Sequence, residues 1–209
     1  MNNTKPISII ITGAGAPGIL GTIYSLKNNP DGVKFRYITT DINDDSVGKF
    51  FSDKFYLIPP PESKDYFTTL EHIIKEENIK LILPQTTREI MVLSKRKHDL
   101  ERMCVSVVVS DFKSICKAND KYLIIEECEK IGIPHPTCFL AKNEKDFLKY
   151  LDILGFPDNK VVVKPRFSNG LRGLRIITEE IISLNRFLSE KPSELEVNLD
   201  TLLKIFRQE

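Results

Sequence analysis

Neither charge predominates in this 209-residue chain: 30 Lys and Arg stand against 29 Asp and Glu, for a net charge of +1. That removes the electrostatic reason to expect sequence-independent binding to nucleic acid or to an anionic membrane. Cysteine is sparse as well. Cys104, Cys116, Cys128 and Cys138 form no C-x-x-C, and none of the three histidines is paired at a metal-ligand spacing. Idle thiols in a reducing cytoplasm fit this usage. No apolar run approaches the roughly twenty residues of a membrane span, and the one in the opening MNNTKPISIIITGAG is too short for a signal-peptide core. Repeats and low-complexity stretches are also lacking. With 41% apolar residues the chain can bury one large core or two modest ones.

What is present is an alternation. From Ile7 to about Val109, short apolar runs (ISIIIT, KFRYITTD, DKFYLIP, IKLILP, CVSVVVS) alternate with amphipathic stretches (GILGTIYSLKNN, YFTTLEHIIKEEN, EIMVLSKRKHDLERM). Strands that are continuously apolar are expected where helices cover both faces of a parallel sheet, so this half reads as a doubly wound α/β domain. After Ser110 the pattern changes. KANDKYLIIEECEKIGIPHP predicts a helix opened by Asn119 or Asp120 and closed by Gly132, with Pro134 and Pro136 preventing its continuation. TCFLA reads as a strand, EKDFLKYLDILG as a helix, and NKVVVKP and GLRIIT as two strands joined by a glycine loop. A small α+β lobe follows from that order, and residues 179–209 read as mostly helical with a break at Pro192.

Two glycine motifs carry the chemistry. GAGAPG, Gly13 to Gly18, follows the first strand, opens a helix and is trailed by Asp41 at the end of the second strand. In that pattern glycines let the backbone approach a pyrophosphate and an acid reaches the ribose, which would suit an NAD(P)-dependent oxidoreductase or epimerase. Against this, Pro17 removes one N–H donor, and none of the six tyrosines is followed four positions later by the lysine that a short-chain dehydrogenase needs. A tight structural turn or a substrate-facing loop is the other reading. The second motif is VVVKPRFSNGLRGLRII, residues 161–177, which places Lys164 at the end of an apolar strand, ahead of a loop containing Ser168, Asn169, Gly170, Arg172 and Gly173. A lysine about 4 Å from a phosphate oxygen gains about 4 kcal/mol at an effective dielectric of 20. Glycine-loop N–H groups can add to that. An ordinary hairpin with incidental charge is the alternative.

Asp120-Lys121, the helix closing at Gly132-Ile133-Pro134-His135-Pro136, and Val-Val-Val-Lys-Pro with its glycine loop together resemble the ATP-grasp superfamily, in particular its carbamoyl-phosphate-synthetase-like members. The resemblance covers essentially the whole chain. It implies a Rossmann-like pre-ATP-grasp domain with a parallel sheet over residues 1–112, then a small α+β first ATP-grasp lobe over 113–209. Carried over residue by residue, it implies that Lys121 and Lys164 contact ATP phosphates and that Ser168, Asn169, Gly170, Arg172 and Gly173 form a lid over them; Arg166 and Arg172 read either as further phosphate contacts or as solvated surface residues. In the first domain it implies a substrate-facing crevice at Gly13, Gly15, Gly18 and Glu89, the last in ILPQTTREIMVLS. Thr86 or Thr87 with Glu89 also reads as a helix cap. Leu171 departs from the family pattern, which favours a small residue there.

The resemblance further implies an ATP-dependent ligase that activates a carboxylate or bicarbonate through an acyl phosphate. Its Mg2+ ligands are expected in a second lobe whose signature does not appear before NLDTLLKIFRQE, so the chain by itself is expected to be inactive. None of the carboxylates Glu179, Glu180, Glu190, Glu194, Glu196 and Asp200 is assigned to a metal. A third reading is a non-catalytic module that binds nucleotide or a partner protein. Partners are expected to be ATP and a small acid, with no nucleic acid and no membrane; a homodimer is compatible with the sequence.

Overall fold

A computed structural model describes residues 5–168, 170–179 and 195–208. The chain divides into two compact units, the first ending at Cys116 and the second beginning at Lys117.

In the first unit, β1 (Ile7–Thr12), β2 (Phe35–Asp41), β3 (Lys54–Leu57), β4 (Leu81–Pro84) and β5 (Ser106–Val107) form one sheet in the order β3-β2-β1-β4-β5. Every pairing in it is parallel. Parallel neighbours need crossovers, and α1 (Ile19–Lys27), α2 (Asp65–Glu77), α3 (Thr87–Lys95) and α4 (Lys97–Arg102) supply them. A short 3-10 turn, Val47–Phe51, precedes β3. β1 and β4 carry continuous apolar runs, Ile9–Ile11 and Leu81–Leu83, because both faces of the sheet are covered. Ile10, Ile38 and Ile82 pack with Tyr66, Leu70 and Leu93 on one face. On the other, Ile9, Ile11 and Tyr37 pack with Ile19 and Ile23. This is the Rossmann-like, doubly wound fold that the alternation of runs predicts.

The boundary between the units falls within α5 (Phe112–Asn119). The second unit continues with α6 (Lys121–Lys130) and α7 (Glu144–Ile153), then a three-stranded sheet of β6 (Val161–Val163), β7 (Arg175–Ile177) and β8 (Glu196–Val197), and α8 (Leu199–Phe206). β6 and β7 are antiparallel, whereas β7 and β8 are parallel. Leu151, Val161, Ile177 and Leu202 form its core, so α7 and α8 cover the sheet.

Several expectations are corrected. TCFLA, residues 137–141, forms no strand: it has no ladder partner among the described residues, and Phe139 instead stacks on Tyr150 with ring centroids 4.6 Å apart. The single helix expected over EIMVLSKRKHDLERM breaks at Arg96, which ends α3 and starts α4. Its guanidinium pairs with Asp99 at 2.7 Å and lies over the Phe67 ring. CVSVVVS keeps only two residues in the sheet, and β8 falls in a stretch expected to be helical. Pro192, where a helix break was expected, lies outside the described residues, as do Glu180, Glu190 and Glu194.

Candidate functional site

The order β3-β2-β1-β4-β5 reverses direction between β1 and β4, and a parallel sheet opens a crevice beyond the carboxyl ends of its strands at such a point. The Gly13–Gly18 loop leaves β1 there, and α3 starts there after β4. Gly13 has φ +68°, and a Cβ on it would lie 2.6 Å from Thr86 Cγ2 and 3.1 Å from Glu89 Oε2. The close approach that needs glycine at this position is therefore between two parts of the protein. Gly15 N donates to Asp41 Oδ2 at 2.6 Å, and Asn43 N donates to Asp41 Oδ1 at 3.0 Å. Gly18 faces the Gln85 side chain, whose Oε1 accepts from Thr22 Oγ1 at 2.9 Å. The acid that a dinucleotide reading assigns to the ribose is thus engaged with the loop's own backbone, and Pro17 has no N–H to offer.

Glu89 is 4% exposed. Thr86 Oγ1 donates to its Oε2 at 2.8 Å and Tyr66 Oη to its Oε1 at 3.3 Å. In return Thr86 Oγ1 accepts from Glu89 N at 3.3 Å, so Thr86 is the N-cap of α3 and Glu89 sits in its first turn. Glu89 forms no ion pair among the described residues, and burial pushes its carboxyl up from the usual range. The hydroxyls of Thr86, Thr12 and Tyr66 oppose that shift. Thr12 Oγ1 lies near enough to act electrostatically, yet it makes no hydrogen bond of normal geometry. It is buried without a hydrogen-bond partner among the described residues, as is Thr40 Oγ1 on the adjoining strand. A buried acid and two hydroxyls without a partner among the described residues therefore belong to this unit.

In the second unit the sequence-distant parts of the second motif meet. Asp120 caps α6, its Oδ1 accepting from Tyr122 N at 3.0 Å and Leu123 N at 3.2 Å. Its Oδ2 accepts from Arg166 Nε at 2.7 Å. Asp120 is 2% exposed, and the Arg166 guanidinium holds its carboxyl below the ordinary range. Lys121 N donates to Arg166 O at 3.1 Å. Lys121 Nζ donates to Ser168 O at 2.5 Å and to Ser168 Oγ at 2.9 Å. The N-terminus of α6 is thereby fastened to the segment that follows β6. Lys164 stands just past the end of β6, exposed and with no hydrogen bond or ion pair among the described residues. Gly170, Leu171 and Gly173 all have positive φ, 57°, 62° and 73°, and Arg172 is exposed among them. At Gly173 a Cβ would lie 2.4 Å from Pro165 Cγ, which accounts for glycine at the base of the loop. Asn169 lies outside the described residues.

The pairing of Asp120 with Arg166 escaped sequence reading. Asp120 was legible as a cap, but nothing in the linear order shows that its second oxygen faces a residue 46 positions away. Neither of two shallow hollows, one beside Asn78 and Met103 and one beside Pro157 and Lys160, includes any of these residues. Among the described residues no group of three or more His, Cys, Asp and Glu is arranged for a metal ion, and no helix is long and apolar enough to cross a membrane.

Residues 9–108 match the family described as PylC-like, N-terminal domain. The chain is 30% identical over 126 residues to the N-terminal section of the carbamoyl phosphate synthase large chain of Aquifex aeolicus, covering 58% of this chain and 21% of that one. It is 26% identical over 174 residues to the Thermus thermophilus large chain, covering 82% and 16% respectively. The chain thus spans about a fifth or less of the length of these relatives. In fold it is similar to N5-carboxyaminoimidazole ribonucleotide synthetase from Thermotoga maritima, with a TM-score of 0.57 and 21% identity over 90% of this chain and 44% of that one. It is also similar to the biotin carboxylase domain of Hydrogenobacter thermophilus 2-oxoglutarate carboxylase, a structure that contains MgADP and bicarbonate. There the TM-score is 0.60 and the identity 16%, over 83% of this chain and 38% of that one.

Proposed function

We propose that the chain is an ATP-grasp, carbamoyl-phosphate-synthetase-like segment that supplies one wall of a nucleotide site and the crevice for the acid to be activated, a reading supported by its likeness to carbamoyl phosphate synthase large chains. Residues 1–112 serve as the pre-ATP-grasp domain and 113–209 as the first ATP-grasp lobe. The observation that carries the reading is the contact of Lys121 Nζ with Ser168, which brings the start of α6 against the loop following Lys164. Two lysines, the left-handed residues Gly170, Leu171 and Gly173 and the exposed Arg172 then offer a cationic, N–H-rich surface suited to a triphosphate. On ATP arrival Lys121 exchanges Ser168 for phosphate oxygens, Lys164 adds a second ammonium, and Ser168, Asn169 and Arg172 close over the phosphates.

The acid, a small carboxylate or bicarbonate, is taken at the crevice lined by Gly13, Gly15, Gly18 and Glu89. When bound, ATP supplies a phosphoryl group that turns the acid into an acyl phosphate, open to attack by an amine or ammonia. The described residues offer no carboxylate set for Mg2+, so the metal is assigned to groups beyond them and the complete reaction to a longer assembly. A cytoplasmic setting and a homodimer are part of the same proposal.

Thermal unfolding with and without ATP, in the presence and absence of Mg2+, tests the nucleotide site. Wild-type protein is expected to gain a modest ATP-dependent rise in Tm, and Lys164→Ala to lose it while keeping the same Tm without nucleotide. Equal shifts in the two proteins would remove Lys164 from the site. An NADH fluorescence change on adding protein would instead support a dinucleotide in the first unit.

A further inference from the structure

Asp120 makes contacts that a helix cap alone does not require. One carboxylate oxygen accepts from two N–H groups of the first turn of α6, those of Tyr122 and Leu123, which satisfies the cap. Its other oxygen faces away from the helix and accepts from Arg166 Nε at 2.7 Å. The neighbouring residue repeats the link through the backbone, Lys121 N to Arg166 O at 3.1 Å, and again through its side chain, Lys121 Nζ to Ser168. Three consecutive attachments thus run from two residues of α6 to residues 166–168, and the only charge pair among them is Asp120 with Arg166. Asp120 is 2% exposed, whereas the Arg166 side chain is 39% exposed. Losing the cation leaves a buried carboxylate, so the pair constrains Arg166 more than a surface ion pair would. No residue of α6 or α5 is fully buried, although most of α6 is half-buried.

Resting on the nucleotide reading above, we propose that Asp120 is a positioning residue for the phosphate-binding set: through Arg166 it holds the segment after β6 against α6, so that Lys121 and Lys164 meet the phosphates from one preassembled frame. Asp120 itself does not touch nucleotide. Preassembly removes ordering that ATP would otherwise have to impose, so its loss weakens binding without removing a contact.

Asp120→Asn separates the two roles of the residue. Asn caps a helix as well as Asp does, but with its Oδ1 kept on the cap it turns an NH2 donor, not an acceptor, toward Arg166 and cannot balance the guanidinium charge. In the 209-residue chain, Asp120→Asn is expected to keep its Tm without nucleotide to within a few degrees. Its ATP Kd by calorimetry should rise roughly tenfold, and hydrogen exchange at the Lys121 amide should speed up. Arg166→Met, at an exposed position, provides the second arm. The double variant should bind ATP no more weakly than the weaker single variant, because both substitutions break one link. Overturning results are an unchanged Kd and unchanged Lys121 exchange in Asp120→Asn, or losses that multiply in the double variant. If wild-type protein binds ATP and Lys164→Ala does not, while Asp120→Asn binds as wild type, this inference fails and the nucleotide site stands. If wild-type protein binds no ATP, both fall.

Discussion

In the first unit a five-stranded parallel sheet is covered on both faces, by a core around Tyr66, Leu70 and Leu93 and another around Ile19 and Ile23. In the second, one small cluster at Leu151, Val161, Ile177 and Leu202 serves a three-stranded sheet, and no residue of α5 or α6 is fully buried. The acid proposed to act in the first unit therefore stands on well-buried elements: Glu89 is itself buried in the first turn of α3 and accepts from Thr86 and Tyr66 there. The groups proposed to act in the second are fixed by polar stitches between Asp120, Lys121, Arg166 and Ser168. Burial is non-directional and strong, whereas a hydrogen bond is directional and contributes about 1 kcal/mol net, so the second arrangement is the easier to exchange for a ligand.

The contrast can be broken or sharpened by substitution. Leu70 is fully buried in the first unit, and Leu70→Ala is expected to destabilise that unit by about 2–5 kcal/mol. Urea unfolding followed by hydrogen exchange should show the loss in β1, β2 and β4 and not in β6 and β7. A uniform loss across both units would break the contrast.

Glu77 gives a smaller effect with a pH signature. Its carboxylate meets Arg36 Nη1 and Lys54 Nζ, each at 2.5 Å, and accepts from Tyr56 Oη at 2.5 Å. The Lys54 ammonium, with Tyr56 and Arg36, holds the Glu77 carboxyl at about 2, while burial and Glu77 push Tyr56 up to about 12. A folded-state value below the unfolded one adds stability that is present above about pH 4.5 and is lost as pH falls toward 2. Glu77→Gln should thus cost about 1–2 kcal/mol at neutral pH and flatten the acid limb of the stability profile.

Glu89 should behave with the opposite sign and the smallest amplitude. Burial raises its carboxyl, so stability is greatest below the unfolded carboxylate value and falls as pH rises through the folded one. In Glu89→Gln that downward slope should vanish, with neutral-pH stability equal to or above wild type. A slope unchanged by the substitution would show that Glu89 is not the buried acid responsible.

Most of the first unit was legible because apolar continuity and helical periodicity are local signals, and β1, β2, β4, α1 and α2 follow them closely. The capping role of Thr86 and the glycine loop after Lys164 were legible for the same reason. TCFLA failed because a strand exists only where another strand offers its hydrogen bonds, and none among the described residues does so. β8 was missed for the converse reason: Glu196 and Val197 carry no strand signal of their own and are recruited by Ile176 and Ile177. The break at Arg96 depends on Asp99 and Phe67, which periodicity does not register.

Linear order alone determined the parallel, doubly wound first half, the change of pattern after Ser110 and the choice of Lys164 as a candidate cation, since each rests on residue types at short spacing, whereas Lys121 was chosen through the family resemblance. Only the tertiary structure decided that Asp41 is bound to the Gly15 N–H, that Glu89 is a buried acid without an ion pair among the described residues, and that Asp120 and Arg166 are partners. Such facts depend on which groups lose water together and which donor is left to satisfy them, and that is settled when distant segments pack.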